Sequence, residues 1–175
     1  MHFNAYGGNG AELAAALVNL ADFRPGVVSR VLSDSKLLRT QVTPEQCEAL
    51  RDWARSLEPV FGETDVEKQL GLVNDLLSVT ASRPYISAHD GREPHLHFFD
   101  VDADIVARAK DTTAGGLAMA ICFSSGSRLG RCDRDGCATV YVDTSRNGRR
   151  RFCSLACANR VNVAAHRARG VARES

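Results

Sequence analysis

The sequence predicts a mainly α protein with a small β-hairpin, an α+β fold in two parts. A helical N-terminal domain covers residues 1–127 and a small cysteine-bearing module covers residues 128–175. Three observations predict this. Apolar residues recur at helical spacing through most of the first part. Four of the six cysteines (Cys132, Cys137, Cys153 and Cys157) fall together in the second. The charge divides at the same place: residues 1–127 hold 11 basic and 17 acidic side chains, a net of −6, whereas residues 128–175 hold 11 basic and 4 acidic, a net of +7. Every basic residue of the second part is Arg, and the overall charge of +1 hides the split. Such an asymmetry suggests a polyanion partner for the second part, the plainer alternative being a solvated basic tail.

Length and composition exclude several classes. With 175 residues, 44% hydrophobic and 25% charged, the chain suits one ordinary domain plus a small module and argues against disorder. No apolar run approaches the roughly 18–20 residues of a membrane helix. Met1-His2-Phe3-Asn4 shows no basic region leading into an apolar stretch, so no secretory signal and no membrane partner are expected, and the expected location is the cytoplasm. Cys47 and Cys122 stand alone in apolar-periodic stretches and read as small buried hydrophobes.

Taken in order, residues 11–22 place Leu13, Ala14, Leu17, Val18 and Ala21 on one helical face. Arg24-Pro25-Gly26 breaks the chain, and residues 27–38 form one or two short helices. Thr43-Pro44-Glu45-Gln46 is a capping box with Pro at the first helical position. Its helix should reach about residue 60, burying Cys47, Leu50, Trp53, Ala54 and Leu57, and end at Gly62. Thr64-Asp65-Val66-Glu67 repeats the pattern ahead of a helix with a stripe of Leu70, Val73, Asn74, Leu77 and Ala81, stopped by Pro84. The period then changes to two. Residues 85–89 and 95–99 read as strands of a hairpin with Asp90-Gly91 in its turn. Residues 102–123 form a long helix with Ile105, Val106, Ala109, Leu117, Ala118, Ile121 and Cys122 inward. Gly115-Gly116 weakens it by about 1 kcal/mol per Gly, so a kink or break is expected there. Ser124-Ser125-Gly126-Ser127 reads as a linker.

The module is spaced C-x4-C-x15-C-x3-C. Two close cysteine pairs around a short insert suit a tetrahedral site of four thiolates for one structural zinc ion. Disulfides would need an oxidising compartment. The spacing matches neither common iron–sulfur run, and the C-x2-C of redox catalysis is absent. Four protein thiolates leave no position for a catalytic water. The insert is expected to be a hairpin: a strand at residues 138–142, a turn at Asp143-Thr144-Ser145-Arg146-Asn147-Gly148, and a return strand at residues 149–152. Ser154 is the expected N-cap of a last helix running to Gly170, with Cys157 in its first turn. That helix should place Cys157, Val161, Ala164, Ala165 and Ala168 inward. Asn159, Asn162, His166 and Arg173 lie opposite, with Arg160, Arg167 and Arg169 on the flanks. Asn and Arg suit base edges in the major groove, while Arg146, Arg149, Arg150 and Arg151 suit phosphates. The plain alternative is an amphipathic helix whose polar face meets water.

The stretch from Cys132 through Asp143-Thr144-Ser145-Arg146-Asn147-Gly148-Arg149-Arg150-Arg151-Phe152-Cys153-Ser154 to Arg169 resembles the CGNR zinc-finger family. The family's C-G-N-R box reads Cys157-Ala158-Asn159-Arg160 here, with Ala158 at the Gly position. Leu17-Val18-Asn19, Asn74-Asp75-Leu76-Leu77 and His95-Leu96-His97 resemble the helical ABATE domain that precedes this finger. The resemblance implies a bacterial transcription regulator in which a treble-clef-like finger binds DNA behind a helical domain. It implies zinc ligation by Cys132, Cys137, Cys153 and Cys157, with Ser145, Arg146, Asn147, Arg150, Arg151, Asn159 and Arg160 around the finger. Within that motif Asn159 is expected to tie the helix start to the hairpin, and Arg150 to pair with Asp143.

In the first part, His95 and His97 alternate on one strand and His89 lies on the other. Together they could form a ligand or second-metal site, the alternative being an ordinary polar strand face. Asp100, Asp102 and Asp104 could join it, or simply favour a helix N-terminus. Gly7-Gly8-Asn9-Gly10 reads as a loose turn with no phosphate-binding context. No nucleophile with a base is evident, so no enzyme activity is expected. The expected function is a DNA-binding regulator whose helical part senses an effector or forms a homodimer. The alternatives are a finger binding a protein or RNA, and a sensor or enzyme centred on the histidines.

Overall fold

The computed structural model describes residues 8–37, 39–80, 85–87, 95–98, 102–124 and 126–171, with only the backbone described at Gly8, Ser87, residues 95–97 and residues 165–171. Six helices and two small antiparallel ribbons occur among them. In chain order they are α1 (Gly8–Val18), α2 (Pro25–Asp34), α3 (Pro44–Leu57) with a 3-10 turn at Glu58–Val60, α4 (Val66–Ser78), β1 (Tyr85–Ser87), β2 (His95–His97), α5 (Ile105–Ser124), β3 (Leu129–Arg131), β4 (Val140–Val142) and α6 (Leu155–Val171). No helix among the described residues is long and apolar enough to cross a membrane.

The core is organised around α1. Ala11, Leu13, Ala14, Ala15 and Leu17 are all buried, and a helix apolar on most sides belongs inside. One side of α1 packs with Trp53, Leu57, Phe61, Val73, Leu76, Ala114 and Leu117. The other packs with Val28, Leu32, Cys47, Leu50, Ile105 and Ala109. Helix α5 crosses α1 at a contact only glycine permits. A Cβ on Gly116 would lie 2.5 Å from the backbone of Gly10 and Ala11, and one on Gly115 would lie 2.5 Å from the Phe98 ring. The two glycines therefore do not break α5, which runs unbroken over 20 residues. Backbone-to-backbone packing offsets their poor propensity. For the same reason Gly8-Asn9-Gly10 is the first turn of α1 rather than a loose turn.

The capping box holds: Thr43 Oγ1 accepts from Gln46 N, and Gln46 Oε1 accepts from Thr43 N. Cys47, Leu50, Trp53, Ala54 and Leu57 are buried as expected, and Gly62 leaves the following turn at φ +79°. Helix α4 differs from expectation. Its cap is Asp65, which accepts from Lys68 N, and its buried residues are Gln69, Val73 and Leu76. Leu70 and Asn74 face solvent. The stripe is turned because the buried Gln69 amide donates to Val60 O at 3.1 Å. Cys122 is exposed whereas Cys47 is buried, since Ala120 and Ile121 take the inward positions there.

The expected hairpin of residues 85–99 is present as β1 and β2, paired Tyr85 to His97 and Ser87 to His95. Its turn lies outside the described residues. The hairpin expected within the insert is corrected. Strand β4 pairs with β3, Leu129 opposite Val142, and Arg149-Arg150-Arg151-Phe152 forms no strand. The β3–β4 ribbon is continuous with the helical core, because Leu129, Val140 and Val142 are buried in the α1-centred cluster. Asn19 fixes it there: its Nδ2 donates to Val140 O at 2.8 Å and its Oδ1 accepts from Val140 N at 2.9 Å. Gly62 N donates to Leu129 O at 2.8 Å.

Gly116→Ala is expected to destabilise the protein by about 1–3 kcal/mol through overpacking. Gly71→Ala, at an exposed α4 position with nothing within 4 Å of its Cβ, is expected to stabilise it by about 0.5–1 kcal/mol. Chemical denaturation of both variants checks the contrast.

Candidate metal centre

The first cysteine pair sits on a tight knuckle. Cys137 N donates to Arg134 O at 3.0 Å, and Cys132 N donates to Thr139 O at 3.0 Å. Gly136, at φ +70°, allows the turn. The second pair opens α6. Ser154 Oγ accepts from Cys157 N at 3.2 Å, the expected N-cap, so Cys157 lies in the first turn where the helix dipole favours a thiolate. Two links join the pairs: Asp133 N donates to Arg151 O at 2.9 Å, and Arg151 Nε donates to Asp133 Oδ2 at 2.7 Å.

All four sulfurs lie within 4.8 Å of one another. Cys137 and Cys153 are 3.8 Å apart, Cys153 and Cys157 3.5 Å, and Cys157 and Cys137 4.0 Å. Four sulfurs about 2.3 Å from a central zinc would stand roughly 3.8 Å apart. Donor type, number and spacing therefore fit one zinc ion held by Cys132, Cys137, Cys153 and Cys157. When bound, such an ion supplies folding energy rather than a reactive water.

The surroundings treat the sulfurs unequally. The Thr139 hydroxyl, 3.4 Å away, chiefly holds Cys137 down at about 6. Arg134 Nε donates to Cys157 Sγ at 3.2 Å and is the main cause of that thiol's lowered pKa. Burial pushes Cys153 up to about 11.

Behind the sulfurs, Asp143 is the hub of the finger. It is 1% exposed. Its Oδ1 accepts from Ser145 N at 2.9 Å and its Oδ2 from Arg150 N at 2.8 Å. Burial works against ionisation, but the Ser145 hydroxyl, these N–H donors and the Arg128 charge outweigh it and leave the carboxyl below its ordinary value. Arg128 Nη1 also donates to Asp143 O at 2.7 Å and Ser145 O at 2.6 Å. The expected Arg150–Asp143 pairing thus runs through the Arg150 backbone. The Arg150 guanidinium instead donates to Phe152 O at 2.9 Å and to Cys153 O, and lies 4.4 Å from the Tyr141 ring centroid. Asn159 is exposed and, among the described residues, makes no hydrogen bond to the hairpin.

The other expected site residues are placed as follows. Arg146, Arg149, Arg160 and Asn162 are exposed. The α6 backbone includes His166, Arg167 and Arg169, whose side chains lie outside the description. The helix continues through Gly170 to Val171. Its expected inward face is only partly covered: Cys157 is buried and Val161 half-buried, but Ala164 is exposed, because no element overlies α6 beyond its second turn among the described residues. Of the histidine group, His89 and the side chains of His95 and His97 lie outside the description. Asp104 caps α5, its Oδ1 accepting from Val106 N at 2.7 Å and Ala107 N at 2.9 Å, the simpler of its two expected roles. Asp100 lies outside the described residues. Arg134 at the sulfurs, Arg128 at the turn and Asn19 on β4 were not anticipated. Only the placement of Arg134 inside the first cysteine pair hinted at its role.

Residues 128–170 match the family model described as CGNR zinc finger. The C-terminal part of the chain is therefore a zinc finger of this family, as its motif suggested. No curated protein matches the chain.

Purified under reducing conditions, the protein is expected to hold one zinc per chain, and Cys153→Ser to lose it; elemental analysis decides this. Asp143→Asn is expected to destabilise the finger by about 1–3 kcal/mol at neutral pH, because the amide turns a donor toward the N–H of Ser145 or Arg150. The lowered carboxyl pKa means this stability is present above the ordinary carboxylate range and lost as pH falls through the depressed value. Denaturation of the wild type and Asp143→Asn across acid pH should show the two curves converge.

Proposed function

We propose that the protein is a non-enzymatic, cytoplasmic transcription regulator that docks its zinc finger on duplex DNA. The observation that carries this reading is the set of exposed arginines on the finger. Arg146, Arg149 and Arg160 are exposed and, among the described residues, form no ion pair. Arg151, although paired with Asp133, has a side chain 70% exposed. Arg146, Arg149 and Arg151 precede α6 in the chain and Arg160 lies within it; its 17 residues span about 25 Å. Beyond Val161 its described side chains are exposed, as a helix entering a major groove requires. In this reading the arginines meet phosphates while Asn159 and Asn162 approach base edges, with His166, Arg167 and Arg169 continuing along the helix. The ABATE-like helical part would sense an effector or bring two copies together.

The test is salt dependence with a duplex probe and the full-length, zinc-loaded protein. The logarithm of affinity should fall against that of salt with a slope near −0.9 per phosphate neutralised. Replacing Arg149 and Arg160 together by Ala should flatten the slope by about 2. A salt-independent affinity for duplex DNA would sink the reading.

A further inference from the structure

Leu155 is 83% exposed, more than any other large hydrophobic residue described. It is the first residue of α6, and its backbone is held on both sides. Ser154 accepts from Cys157 N, and Cys153 and Cys157 converge with their partner sulfurs. Arginines and asparagines stand near Leu155 in the chain, beside the half-buried Phe152. The Arg150 guanidinium donates to the carbonyls of Phe152 and Cys153, and the Arg151 guanidinium lies 5.6 Å from the Phe152 ring centroid. Asn159 and Asn162, both exposed, follow at i+4 and i+7 on the same helix face.

An apolar protein pocket would match Leu155 but not this rim. The major groove of DNA matches both, since it offers phosphates at its edges and one apolar group on its floor, the C5-methyl of thymine. We propose that Leu155 is a specificity-determining residue that packs on a thymine methyl, beside the base edge met by Asn159. This rests on the DNA reading above. It adds a base preference to the sequence-blind attraction of the arginines. It also makes the first residue of α6 a reader, in keeping with recognition helices that contact bases through their N-terminal residues.

The experiment uses the full-length, zinc-loaded protein and duplexes it enriches from a random pool. Replacing each thymine in turn by deoxyuridine removes one methyl and leaves pairing intact. One position should lose about fourfold in affinity, the worth of one buried methyl-sized group. Leu155→Ala, with its zinc content unchanged, should lose about as much on the thymine duplex and nothing further on the deoxyuridine one. Leu155→Met should keep the methyl sensitivity. The proposal is overturned if the wild type is indifferent to every replacement, if enriched sites lack a common thymine, or if Leu155→Ala stays methyl-sensitive. That last outcome would assign the methyl contact to another side chain. Failure of the DNA reading looks different: no enrichment and no salt-dependent duplex binding by the wild type, which removes this proposal too.

Discussion

Four sulfur atoms held within 4.8 Å of one another are the constraint around which the C-terminal part is arranged. Neither strand of its ribbon exceeds three residues. So short a ladder cannot order the turns between residues 132 and 157 unaided. Convergence of the thiolates on one ion supplies what a larger core would otherwise provide. Four thiolates around a divalent ion leave net negative charge, which explains why a guanidinium stands against the sulfurs. Arg134 Nε donates to Cys157 Sγ at 3.2 Å, and such charge-assisted bonds are the stronger kind. Asp143 performs the complementary task a few residues away. It gathers the N–H groups of Ser145 and Arg150 and so fixes the loop that carries Cys153.

The finger and the helices are mechanically joined through the β3–β4 ribbon. Leu129, Val140 and Val142 belong to the same apolar cluster as α1 and α5, and Asn19 serves β4 as a substitute strand, satisfying both backbone groups of Val140. Sequence-distant contacts of this kind resist local fraying because both groups are already desolvated. Helix α6 starts at the sulfurs, beside the Cys132 end of the ribbon, with most of its described side chains in solvent. The arrangement separates tasks: β3 and β4 belong to the core, whereas α6 is presented outward. A shift in the helical part would reach the sulfurs by a short route. Val140 is bonded to Asn19, and its neighbour Thr139 accepts from Cys132 N.

Much of this was legible in the sequence because it rests on local chemistry. The Thr43 capping box, the Ser154 cap and the four cysteines are short-range patterns whose residue types permit few alternatives. What escaped was whatever depends on a tertiary contact outside the element's own pattern. Gly115-Gly116 read as a weakness, since propensity sees only the helix they sit in. The reason for Gly116 is Gly10, more than a hundred residues earlier. The α4 stripe was misplaced because Gln69, polar by type, is drawn inward by the Val60 carbonyl. The β4 partner was misassigned because Arg149-Arg150-Arg151-Phe152 looks as strand-like as Leu129-Gly130-Arg131, and only the apolar contacts of Leu129 favour the latter.

The arginines show most clearly how composition can mislead. A segment with Arg and no Lys reads as a surface for phosphates, yet much of that Arg content has an internal reason. Arg128 bonds the carbonyls of Asp143 and Ser145, Arg131 pairs with Glu58 across to the helical part, Arg134 bonds a sulfur and Arg150 clasps two carbonyls. A planar fork with several donors can do this where a lysine's single ammonium cannot. The exposed group of Arg146, Arg149 and Arg160 is smaller than the raw charge implies. Any polyanion contact is accordingly narrower and better placed than a basic tail would give, being confined to the turn before α6 and to the first turns of that helix. A few fixed charges around a projecting helix make a weak general attraction for a polyanion. On the DNA reading proposed above, discrimination among sequences would rest with the uncharged side chains that α6 presents between them.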